Sequence, residues 1–164
     1  ADVENLKKYE GQFDLVMCHN VLYHAQDKKN ALQNLKNCLN DEKSSFCSIT
    51  TNSEKHMLNV YEIGRKLDKN FPTDRIIDSF TEEIADKMIP TYFEMDKRLE
   101  EEELQVTDWE ILMGFVASGV EPRGINLVDG FYDEYKKIFE KELNERGYFQ
   151  IIKRSPLYIC KKKN

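Results

Sequence analysis

Closely spaced glycines are missing from this 164-residue chain: no Gly-x-Gly occurs anywhere in it. A tight turn that lets backbone approach a nucleotide therefore has no obvious place here. The four cysteines, Cys18, Cys38, Cys47 and Cys160, include no Cys-x-x-Cys pair, which argues against a zinc site of close ligand spacing. No apolar run is long enough to span a bilayer, so no membrane role is expected. The opening Ala-Asp-Val-Glu-Asn is neither basic nor apolar and does not read as a signal peptide. Ala1 stands where an initiator Met would, which points to a processed, trimmed or engineered start. Acidic residues outnumber basic ones, 30 to 24, for a net charge of −6. That argues against nucleic acid as a partner, because phosphate binding leans on Lys and Arg. Lys161-Lys162-Lys163 reads as a short solvated tail.

What is present is globular: 40% hydrophobic and 33% charged residues, enough for one domain over residues 1–164. Cys18 and Cys47 fall inside apolar strand patterns, as small buried hydrophobes do. A reduced, cytoplasmic protein is expected.

The strongest local signal is Phe13-Asp-Leu-Val-Met-Cys-His-Asn-Val-Leu-Tyr-His24. Gln12 to Cys18 reads as a buried parallel strand that runs directly into polar and aromatic residues. Asp27 caps the helix that follows, whose Ala31, Leu32, Leu35, Cys38 and Leu39 recur at helical spacing. Ser45 to Thr51 reads as a second strand. Strand, helix, strand makes a right-handed parallel unit, and ligands bind beyond the carboxyl ends of such strands. The rest predicts a helix capped by Asn52 or Ser53, a connector over 69–79 and a short helix from Glu82 to Tyr92. Phe93 to Gln105 is ambiguous. A capping box at Thr107-Asp-Trp-Glu110 opens another helix. A long amphipathic helix covers Asn126 to Glu145 and ends at Gly147. Two strands, Tyr148 to Arg154 and Leu157 to Lys161, flank Ser155-Pro156 as a hairpin or a bulged return. The expected fold class is α/β: a partial Rossmann-like sheet, a parallel βαβ plus antiparallel C-terminal edge strands, with helices packed around it.

Asp2-Val-Glu-Asn-Leu6, Phe13-Asp-Leu-Val16, Val21-Leu-Tyr-His24 with Asp27, and Ile49-Thr-Thr-Asn52 with His56-Met57 together resemble class I S-adenosylmethionine-dependent methyltransferases of the small-molecule, bacterial cytosolic type. The likeness extends through Phe80-Thr-Glu, Val106-Thr-Asp108 and the C-terminal Tyr-Ile-Cys-Lys. It implies a seven-stranded sheet of which this chain holds the fourth strand onward, without the Gly-rich cofactor turn. Asn40 to Ser44 also stands where the family often has Pro-Gly-Gly.

The resemblance implies S-adenosylmethionine as cofactor. Asp2 would take the adenine amino group and Val3 would offer its backbone. Cys18 and His19 would pass close to the methionine moiety. His24 would lie near the acceptor as a general base, with Tyr23 and His56 shaping the acceptor pocket. The implied reaction is methyl transfer to a small-molecule acceptor, if upstream residues complete the site. Two other readings stand beside it: a non-catalytic, truncated methyltransferase-like binding or assembly module, and an unrelated α/β domain. The strand at Phe13 to Cys18 then lacks a neighbour on one side, so a homodimer through that exposed edge, or a partner covering it, is expected.

Overall fold

The computed structural model describes residues 2–72 and 75–163. Ala1 and two positions of the expected 69–79 connector, 73 and 74, lie outside the described residues. Among the described residues, four strands form one sheet: β1 (Leu15–His19), β2 (Phe46–Thr50), β3 (Phe93–Val106) and β4 (Phe149–Lys162), in the order β1-β2-β4-β3. Five α-helices accompany them among the described residues: α1 (Lys28–Cys38), α2 (Leu58–Leu67), α3 (Glu82–Tyr92), α4 (Trp109–Val120) and α5 (Phe131–Arg146). β1 and β2 are parallel, with Leu15 opposite Phe46 and His19 opposite Thr50. β2 and β4 are antiparallel, with Cys47 opposite Cys160 and Thr50 opposite Leu157.

The chain divides into two compact units. The first holds Ala1–Glu54, Ile76–Glu100 and Arg154–Asn164; the second holds Lys55–Arg75 and Glu101–Lys153. β3 and β4 contribute residues to both. In the first unit, α1 forms as its sequence predicts. Asp27 caps it, its Oδ1 accepting from the Lys29 and Asn30 amides at 3.0 Å each. Ala31, Leu32 and Leu35 are buried against Cys18, Cys47, Ile49, Tyr158 and Cys160 of the sheet. Each fully buried Leu or Ile contributes about 1.5–3 kcal/mol of transfer free energy. Period-two alternation assigns Cys18, Cys47, Ile49, Tyr158 and Cys160 to this covered face. All four thiols are free and buried. Burial pushes the Cys18 thiol up to about 11 and the Cys160 thiol up to about 12.

The second unit has its own aromatic core of Phe71, Phe131, Tyr135, Phe139 and Phe149, with Trp109 packed on Phe139 at 5.7 Å between ring centres. The Tyr135 hydroxyl donates to the Val60 carbonyl at 2.9 Å, which satisfies its one polar group.

Several boundaries differ from expectation. Phe93 to Gln105 resolves as a strand. The expected C-terminal pair is one continuous strand, because Pro156 lies just past the end of the β2 ladder at Leu157. No β2 partner there requires its missing amide. α5 starts at Phe131 instead of Asn126, after Gly130 turns through φ 78°; Gly147 ends it as predicted, at φ 85°. α4 is capped by Asp108, whose Oδ1 accepts from the Glu110 amide at 2.8 Å, and not by Thr107. α2 begins at Leu58, later than caps at Asn52 or Ser53 would place it.

Candidate active site at the carboxyl ends of the parallel strands

The corner beyond β1 is built by three local devices. Asn20 follows β1 in the left-handed region, φ 52°, and its amide donates to the Thr50 carbonyl at 3.1 Å. That bond carries the parallel ladder one residue past His19. A short turn, Leu22–His24, then buries Leu22 and leads to Asp27. The N-terminal segment is pinned to the same loop. The Glu4 carboxylate accepts from the Gln26 amide at 3.0 Å and the Asp27 amide at 2.7 Å, and Asn34 Nδ2 donates to the Val3 carbonyl at 3.2 Å.

Asp2 is exposed, and its Oδ1 accepts from the Glu4 amide at 3.0 Å. Val3 packs on the first core. Cys18 turns its side chain into that core at 3% exposure, so only its backbone can face a ligand. His19 lies on the opposite face of β1, exposed, with Nε2 2.7 Å from Ser48 Oγ. Tyr23 is half-buried and stacks obliquely on exposed His24, ring centres 4.6 Å apart. The Tyr23 carbonyl accepts from Ser79 Oγ at 2.7 Å. His19 ends β1 and Tyr23 and His24 follow on the next turn, while the Glu4 bonds hold the segment that carries Asp2 and Val3 against the Gln26–Asp27 loop. His56 belongs to the second unit, where its carbonyl accepts from Arg75 at 2.8 Å.

Three contributing residues were not singled out in the sequence. Glu4 is the pin of the N-terminal segment. Its only sequence signal is an acidic residue upstream of a loop with free amides. Ser48 and Thr50 appear in the sequence as polar alternates in an apolar strand, and pairing with β1 sets them beside Met17 and His19.

Residues 1–46 match the family model described as a methyltransferase domain. The chain also superposes on solved structures. A methyltransferase candidate from Bacillus halodurans C-125 aligns over all of this chain and 76% of its own, at TM-score 0.58 and 12% identity. The chain carries a class I methyltransferase fold. The YcgJ protein of Bacillus subtilis aligns over all of this chain and 70% of its own, at TM-score 0.54 and 11% identity. The MccD protein aligns over 99% of this chain, at TM-score 0.51 and 19% identity, and the chain spans 66% of its length. No curated protein matches the chain in sequence. Among the described residues, no group of His, Cys, Asp and Glu is arranged to hold a metal ion, and no helix is long and apolar enough to cross a membrane.

Proposed function

We propose that this chain is the acceptor-side part of an S-adenosylmethionine-dependent methyltransferase that acts on a small molecule. The observation that carries the reading is the methyltransferase-domain match over residues 1–46, which spans Asp2 to the start of β2. The pinned segment and β1 converge at one strand-end corner. In that corner Asp2 takes the adenine amino group and Val3 offers its backbone. The backbone at Cys18 and the ring of His19 flank the methionine portion, and Tyr23 lines the acceptor side. His24, exposed on the turn after β1, is the candidate base. S-adenosylmethionine supplies an electrophilic methyl group. The residues named here would orient the acceptor for in-line attack and take its proton.

A complete site needs a Gly-rich turn that this sequence does not contain. Residues encoded upstream would provide it. Titration calorimetry with S-adenosylhomocysteine tests the reading on the full gene product and on this chain. Micromolar binding by the full product, weakened at least tenfold by Asp2→Ala, is the expected result. No binding by the full product overturns it.

A second reading is favoured by one observation. Among the described residues β1 has no neighbour on its outer side, and Leu15 and Met17 are 45% and 63% exposed. A non-catalytic module that pairs with a second copy through this edge would bury them.

A further inference from the structure

We infer that two copies of this chain join through the outer edge of β1 as an antiparallel, two-fold pair centred on Met17, in which Met17 meets its own counterpart and Leu15 meets His19 of the second copy. The inference rests on the edge-pairing reading and gives that pairing a direction and a register. Cofactor binding plays no part in it.

The hydrogen bonds β1 already makes show which of its backbone groups are open. The Phe46 amide donates to the Asp14 carbonyl at 2.9 Å, and the Asn20 amide donates to the Thr50 carbonyl at 3.1 Å. Backbone groups alternate in direction along a strand, so Val16 and Cys18, between those two bonds, also turn theirs to β2. Leu15, Met17 and His19 turn theirs outward, where β1 has no neighbouring strand among the described residues. Open edge N–H and C=O groups are a template for another chain. The open stretch is bounded at both ends. Before it, Phe13 spends its amide on the Cys38 carbonyl at 3.0 Å and its carbonyl on the Asn40 amide at 2.9 Å. After it, Asn20 enters the left-handed region at φ 52°, and Val21 lies at the start of the following turn.

These bounds select one register. A two-fold axis perpendicular to the sheet sets the two edges antiparallel. Centred on Met17, the outward residues of each copy face those of the other, and every outward N–H finds a C=O. Centred on Val16, the pairing calls on Phe13, whose groups are taken, and His19 is left open. Centred on Cys18, it calls on Val21, which has left the strand, and Leu15 is left open. Charge agrees with the Met17 register. Leu15 to His19 include no Asp, Glu, Lys or Arg, and the flanking Asp14 falls opposite Asn20 of the second copy instead of another carboxylate. Exposed apolar side chains agree as well. Met17 is covered by its counterpart, and Phe13 and Val21, both exposed, come opposite each other at the two ends. On the face covered by α1, Val16 comes opposite Cys18 of the second copy, beside an apolar groove of about 350 Å³ lined by Val3, Leu6, Leu35 and Cys38. The edge is therefore self-complementary, which commits it to a second copy.

Cysteine cross-linking reads the register. Directly opposed residues of a hydrogen-bonded antiparallel pair have Cα atoms about 5.5 Å apart, within disulfide reach. In the Met17 register Leu15 and its own counterpart lie roughly 13 Å apart along the strands, beyond that reach. The four native thiols are buried, so the wild-type chain sets the background with oxidised glutathione as oxidant. Met17→Cys should form a covalent dimer roughly tenfold faster than Leu15→Cys or His19→Cys alone, and a mixture of those two variants should link one to the other. The same Met17→Cys dimer is expected in the full gene product. Leu15→Cys linking to itself as fast as Met17→Cys overturns the register. Pairs detected by scattering that none of these cysteines link overturn the edge as their contact, while association itself stands. A monomer at every concentration overturns the edge-pairing reading as well. A full gene product that stays unlinked at Met17→Cys gives the edge to another segment of the protein and overturns the second copy as its occupant.

Discussion

The two outer strands of the sheet are built in opposite ways. β1 is Leu-Val-Met-Cys-His, with no formal negative charge, no Lys or Arg and no proline. β3 carries Glu94, Asp96, Lys97, Arg98 and then Glu101, Glu102 and Glu103. Charge along an outer strand discourages another chain from adding to it, and β3 is protected in this way. β1 has instead the continuous apolar composition of a strand with neighbours on both sides. Only one of its faces is covered, by α1. On the other, Met17 stands 63% exposed. β3 is thus a true border of the sheet, and β1 is an interior strand by composition that lies at a border.

The β3 side is also tied by an ionic network. Glu82 on α3 is buried, with a side chain 5% exposed. Its Oε2 accepts from Arg154 Nε at 2.9 Å and its Oε1 from Lys97 Nζ at 2.8 Å. Lys97 also reaches Asp86 at 2.6 Å, and the Tyr158 hydroxyl donates to Asp86 at 2.7 Å. The Arg154 hydrogen bond, opposed by burial and helped by Lys97, lowers the Glu82 carboxyl from its ordinary 4.5 to about 2. The β1 side has no comparable ionic tie among the described residues.

The largest expected effect follows from breaking that network. Glu82→Ala leaves two cations facing a buried site and should cost roughly 3 kcal/mol in urea unfolding, at the low end for a broken buried pair because both cations are partly exposed. Its pH dependence has a fixed sign. The unfolded chain takes up the Glu82 proton near 4.5, whereas the folded chain holds out to about 2. The contribution is therefore complete above 4.5 and is lost as pH falls through that window. Glu82→Gln should flatten this part of the acid unfolding curve, and an unchanged curve would show that the network does not set acid stability. A smaller effect is expected on the covered face of β1: Asp27→Ala removes the cap of α1 and should cost about 1 kcal/mol, read by thermal unfolding. The smallest change in stability is expected at the bare face. Met17→Lys should alter unfolding by less than about 0.5 kcal/mol, since the side chain is already in water. The same substitution should nonetheless give β1 the protection that β3 has, and light scattering should show less self-association. Equal self-association in the two proteins would mean that the contrast between the strands has no consequence in solution.

Legibility in the sequence followed the same divide. The parallel unit was readable because β1, α1 and β2 each carry a clean period and Asp27 marks the start of α1. β4 was misread as two strands because Pro156 signals a break, and only the register shows that β2 has ended there. β3 was ambiguous because its charges obscure the alternation of Phe93 and Met95. In the corner beyond β1, His19, Tyr23 and His24 were visible by type and position. Ser48 and Thr50 were not, since a polar residue in a strand means little until pairing sets it beside a particular neighbour. Cys18 was visible too, but the parity of the strand turns it into the core.

By composition β1 is an interior strand, and its outer side is open among the described residues. Small-angle scattering of this chain over a range of concentrations tests it most directly. The prediction is association into pairs that Met17→Lys disrupts. A monodisperse monomer at every concentration would contradict it.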